Sequence, residues 1–140
     1  MSWDILIINS DKPVDFEKNN WNKFKSRKSV IESIQKTFPD SNWDDPSWGM
    51  LENQFAVIEF NIGESEEMNN YFMLHVRGGK DPTGKIANLC KQHGWIAYDI
   101  SGDQYIENKQ PNVNSYKKWE SYRDEVVSGA TSKKPWWKLW

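Results

Sequence analysis

The chain has 140 residues, 37% of them hydrophobic and 27% charged, the proportions of one globular domain and not of a disordered or fibrous chain. No apolar run approaches the roughly 18 residues of a membrane span, and Met1-Ser2-Trp3-Asp4 carries neither a basic flank nor an apolar leader core, so a cytoplasmic location is expected. Cys90 is the one cysteine, with only His75 and His93 beside it as soft ligands; no disulfide, metal or cofactor is expected.

In chain order, Trp3 to Asn9 is short, apolar and β-branched before the turn chemistry of Asn9 to Pro13, and reads as a central strand. Residues 14–25 read as a long connection pinned by Phe16, Trp21 and Phe24. Val30, Ile31, Ile34 and Phe38 recur at helical spacing, which predicts a helix over Ser26 to Phe38 with a capping box from Ser29 to Glu32 and Pro39 as its stop. Residues 39–49 are loop formers and are expected to hold Trp43 and Trp48 against the domain. Trp48 to Leu51 and Phe55 to Ile62 flank Glu52-Asn53-Gln54 as a hairpin, and Tyr71 to Arg77 alternates as a further strand ended by Gly78-Gly79. Asp81 and Pro82 start a second helix carrying Ile86, Leu89, Cys90 and His93, which Gly94 closes. Trp95 to Ile100 is a strand, Gln104 to Ile106 a short arm, and Ser115 to Val127 a last helix with Tyr116, Trp119, Tyr122, Arg123 and Val126 along one side.

This order predicts an α+β fold: a split βαβ, ferredoxin-like sandwich, mostly antiparallel, with helices on one face, an extra C-terminal helix, and the other face open. Residues 1–128 form the domain; 129–140 read as a flexible, basic, tryptophan-rich tail.

Charge is unevenly spread. Lys133, Lys134 and Lys138 lie in the tail, so residues 1–130 carry −5. No lysine or arginine falls between Lys36 and Arg77, where Asp40, Asp44, Asp45, Glu52, Glu59, Glu64, Glu66 and Glu67 all lie. Such a field disfavours nucleic acid and speeds encounter with a basic partner, although charge runs also serve simply as solvated faces. Asp44, Asp45, Trp48, Glu64, Glu66 and Glu67 are the expected partner-binding residues. In the tail, Trp136, Trp137, Lys138 and Trp140 suit a protein groove or weak contact with an anionic membrane.

Several blocks, Met1-Ser2-Trp3-Asp4-Ile5, Asp45-Pro46-Ser47-Trp48-Gly49, Ile58-Glu59-Phe60-Asn61-Ile62-Gly63, Met73-Leu74-His75-Val76-Arg77-Gly78-Gly79 and Gly94-Trp95-Ile96-Ala97-Tyr98-Asp99, together resemble a family of small uncharacterised bacterial proteins. That resemblance implies no activity and no catalytic residue. In size, acidity and fold type the chain also resembles the immunity proteins that neutralise secreted bacterial toxins, a likeness that carries over no site residue.

Polar residues on strands, Asp4, Glu59, Asn61, His75, Arg77 and Asp99, are the other candidates. A simple hairpin after Ile62 puts Glu59 beside His75 with Arg77 on the same face. A carboxylate next to an imidazole can orient it as a base, and an arginine can hold an anion; ordinary cross-strand pairing explains the same residues. His93 is expected to sit partly charged at a helix C-terminus. Gly78 to Lys85 lacks the spacing of a phosphate-binding loop, and Cys90 reads as core. The expected function is thus a non-enzymatic protein-binding module of the immunity type; the alternatives are a small enzyme or ligand-binding domain using Glu59, His75 and Arg77, and a peripheral membrane protein held by the tail. A homodimer through the open face is a further expectation, since Val57 and Met73 would otherwise meet water.

Overall fold

The computed structural model describes residues 2–106. Strand β1 (Trp3–Ile8) is central, and its odd-numbered residues Trp3, Ile5 and Ile7 are fully buried. Helix α1 (Arg27–Thr37) follows, then the hairpin β2 (Trp48–Glu52) and β3 (Ala56–Asn61), then β4 (Tyr71–Gly79). Helix α2 (Thr83–His93), β5 (Ile96–Asp99) and the short β6 (Gln104–Ile106) complete the described chain.

All six strands join one open antiparallel sheet in the order β2-β3-β4-β1-β5-β6. Register fixes which side chains share a face. Trp3 pairs with Val76, Ile5 with Leu74 and Ile7 with Phe72, while Ile58 and Phe60 pair with the same Val76 and Leu74. These residues make one apolar face, and Val30, Ile34, Ile86, Leu89 and Cys90 from the two helices join it in a single core. Fully burying side chains of this size is worth about 1.5–3 kcal/mol each, so the face selects the register: a slip of one residue would turn every apolar side chain to the other side.

The expectation of an α+β fold with an antiparallel sheet and helices on one face therefore holds, but the six-strand order is not the ferredoxin-like one. The hairpin adds β2 at one edge, and the turn after Asp99 returns the chain as β6 at the other. Two local readings are corrected as well. The capping box lies at Ser26 and Ser29, whose side chains and backbone N–H groups bond reciprocally, so Glu32 plays no part. Asp81 stands one residue outside the helix cap, its Oδ1 accepting from the N–H and hydroxyl of Thr83.

The connection after β1 is tied down by aromatics and amides, as its composition suggests. Trp21 Nε1 donates to the Asn70 carbonyl at 2.7 Å, Asn70 Nδ2 donates to Asn19 Oδ1 at 2.7 Å, and Phe24 is buried edge-on against Trp95. Trp43 and Trp48 part company. Trp43 lies over Phe60 on the helix side, whereas Trp48 opens β2 and points to the opposite face. The helix expected over 115–127 and the tail with Trp136, Trp137, Lys138 and Trp140 lie outside the described residues. No helix among the described residues is long and apolar enough to cross a membrane.

Candidate functional site

On the sheet face away from the helices, register sets two rows side by side. Trp48, Asn61, Met73, Leu6, Tyr98 and Tyr105 are successive partners across all six strands. Next to them, Met50, Glu59, His75 and Asp4 are partners across four. The first row is mainly apolar and aromatic; the second carries the charge.

Within the polar row, His75 Nδ1 lies 2.7 Å from Asp4 Oδ1. The carboxylate also accepts from Ser2 Oγ at 2.5 Å. With Asp4 ionised, Nδ1 carries the proton of a neutral His75 ring and Nε2 is left as the basic atom, without a hydrogen-bond partner among the described residues. Trp48 stacks on the ring, centroids 5.6 Å apart and planes 16° off parallel. Beside this, Arg77 Nε pairs with Glu59 Oε2. Arg77 can reach back because the β3–β4 register shifts between Val57 and Ile58, so that Val57 faces Gly78 and Ile58 faces Val76. A bulge of this kind re-aims the side chain it carries. Glu59 and His75 are 15% and 18% exposed at the side chain, against 44% for Arg77.

Glu59, His75 and Arg77 are thus brought together, and Asn61 stands one row away. Asp99 does not join them. It pairs with Ile5 on the helix side, is 1% exposed, and accepts from Ser101 Oγ and the Gly102 N–H as the anchor of a turn. Sequence alone does not pair Asp4 with His75, because 71 residues separate them and only the pairing of β1 with β4 unites them. His93 departs from its expected charged state: burial, then the nearby Lys36 charge, hold its pKa below 6.5. Cys90 is core as expected, and burial pushes its thiol up to about 12.

The acidic residues converge at one end of the same sheet. The loop before β2 carries Asp44 and Asp45, the loop after β3 carries Glu64, Glu66 and Glu67, and all five are exposed. The Ile62 N–H donates to the Ser47 carbonyl at 3.1 Å, which holds the two loops side by side. Arg27 of α1 fastens the second loop, Nη1 donating to the Glu64 carbonyl at 2.8 Å and its N–H to the Glu66 carbonyl at 3.2 Å. Asp45 accepts from Ser47 Oγ and from the Ser47 N–H, and these bonds lower its pKa below the ordinary 3.8, so it keeps its charge. An open groove of about 660 Å³ runs along Arg27, Ile31, Gln35, Pro46 and Glu66 at this end. The Trp48 N–H donates to the Asp45 carbonyl at 3.1 Å, but its ring lies on the sheet face away from α1, stacked on His75.

None of the protein families, curated proteins or solved structures with which the chain was compared matches it.

Proposed function

We propose that this protein is a non-enzymatic binding module, of the immunity type, that engages a basic protein through the acidic end of its sheet. The observation that carries the reading is the convergence of Asp44, Asp45, Glu64, Glu66 and Glu67, two segments of sequence joined by the Ile62 to Ser47 hydrogen bond. Exposed carboxylates so grouped raise the rate of encounter with a positive partner. The groove beside Ile31 and Pro46 offers apolar contact of the kind an interface core needs. The partner therefore presents lysine or arginine around an apolar side chain. The experiment is charge reversal at Glu64, Glu66 and Glu67 to lysine, followed by capture from a host lysate. Wild type is expected to retain a stoichiometric basic protein that the variant loses; equal capture by both contradicts the proposal.

A second reading is favoured by the 2.7 Å contact between Asp4 and His75: a small-molecule site on the polar row, with His75 Nε2 as base and Arg77 as anion holder. A screen of small organic anions, read on the His75 ring signals, tests it. Shifts that disappear in Arg77→Ala support a site; no shift with any of them contradicts one.

The finer reading of the fold, a split βαβ core of β3, β4, β1 and β5 with β2 and β6 added at the edges, is supported by α2 joining β4 to β5 on either side of β1.

A further inference from the structure

The end of the sheet that carries the acidic loops also carries the opposite charge. Between Glu17 and Glu32 lie Lys18, Lys23, Lys25, Arg27 and Lys28, and not one aspartate or glutamate. The four lysines are exposed. This basic stretch runs along the loop after β3: the Phe24 N–H donates to the Asn69 carbonyl at 3.0 Å and the Arg27 N–H to the Glu66 carbonyl at 3.2 Å. Just past β1, Asn9 Nδ2 fixes the stretch in turn by donating to the carbonyls of Asn22 and Lys23. Across this end of the molecule the order is therefore the basic stretch, the loop with Glu64, Glu66 and Glu67, then the loop with Asp44 and Asp45 that the Ile62 to Ser47 bond holds beside it. Five cations stand next to five carboxylates, yet among the described residues none of these side chains enters an ion pair.

We propose that the basic protein met by the acidic end is a second copy of this chain. Its stretch 18–28 lies over the first copy's acidic loops, while its own acidic loops take the first copy's stretch. The inference rests on the reading of that end as a docking surface and names the partner. Adjacent halves of opposite charge carry it: such a face is complementary to itself after a half-turn, so a symmetric pair forms each contact twice, and each half meets the charge it lacks within its own fold. The boundary between the halves supplies apolar contact. The groove at this end is lined by Lys28 as well as Glu66, with Ile31 and Pro46 as its apolar part, and a two-fold axis through it sets Ile31 and Pro46 of the two copies together. The stretch also has the makeup asked of the partner, since half-buried Trp21 falls between Lys18 and Lys23. Arg27 serves differently: its Nη1 donates to the Glu64 carbonyl and holds the acidic loop in place. Exposed ion pairs contribute little singly, so the dimer depends on the sum of both halves and weakens with salt.

The test is sedimentation velocity of the full chain. Wild type is expected to dimerise in about 20 mM salt, and its dissociation constant to rise at least about tenfold by about 300 mM. Two charge-reversed variants are compared with it: Glu64→Lys with Glu66→Lys and Glu67→Lys, and Lys23→Glu with Lys25→Glu and Lys28→Glu. All six side chains are exposed, so the reversals leave the core intact. Each variant alone is expected to self-associate at least about tenfold more weakly at low salt, whereas an equimolar mixture of the two recovers a dimer within about threefold of the wild-type constant. A wild type that stays monomeric at low salt, a dimer indifferent to both reversals, or a mixture that stays monomeric overturns the proposal. The binding reading fails separately: a monomeric wild type that still captures a different basic protein through Glu64, Glu66 and Glu67 upholds that reading and overturns only this one.

Discussion

His93 ends α2 with its ring 4.9 Å from that of Trp95, and its Nε2 is buried without a hydrogen-bond partner among the described residues. Burial and the Lys36 charge both favour the neutral ring. Because the unfolded chain then takes up the proton at higher pH than the folded one, the stability owed to the neutral ring is complete above pH 6.5 and is lost as pH falls below it through the folded value. Phenylalanine keeps the ring contact and cannot be protonated. His93→Phe should therefore flatten the fall of melting temperature between about pH 7 and about pH 5, measured by calorimetry. A slope equal to that of wild type would show that this ring does not govern the acid limb. The same residue shows where sequence reasoning stopped: a histidine in the last turn suggests a favourable charge with the helix carbonyls, and only the packing of α2 against α1 and Trp95 reverses the sign.

At the scale of elements, two glycines mark close approaches that the strands depend on. Gly79 has φ +91, and an added Cβ would lie 2.5 Å from the Phe55 carbonyl oxygen and 2.6 Å from Ala56 Cα. Backbone cannot move aside without opening the β3–β4 ladder. Gly49 faces the Trp43 ring, where a Cβ would stand 2.5 Å from Cζ2, but a side chain can tilt. Gly79→Ala is expected to cost about 2–4 kcal/mol, left-handed strain added to overpacking, and Gly49→Ala about 1–3 kcal/mol. Denaturant unfolding checks the ranking; a smaller loss at Gly79 would contradict it. The elements themselves were largely legible. Alternation in Ala56 to Asn61 and Tyr71 to Arg77 fixes strands and faces, because only one face is apolar enough to bury. Strand β5 was less so: Ile96, Ala97, Tyr98 and Asp99 offer an apolar side chain to each face, and Asp99 went inward because its carboxylate holds a turn. The edge strands were expected as a hairpin and an arm, yet their addition to a single six-strand sheet depends on long-range pairing that local pattern does not encode.

For the whole molecule, the sequence revealed the neighbours within one hairpin and concealed those that depend on topology. Glu59 beside His75 follows from β3 turning into β4, whereas Asp4 and the Trp48 ring reach His75 only because β1 and β2 lie where they do in the sheet. The acidic run was visible as composition; its division into two loops held together at one end was not. If that end is the docking surface, reversing its charge changes how fast a basic partner associates. With the captured basic partner in hand, association rates of wild type and of the Glu64→Lys, Glu66→Lys, Glu67→Lys variant are compared at low and high salt. The variant is expected to associate at least about tenfold more slowly at low salt and to lose most of the salt dependence. Equal rates and equal salt slopes would contradict docking there.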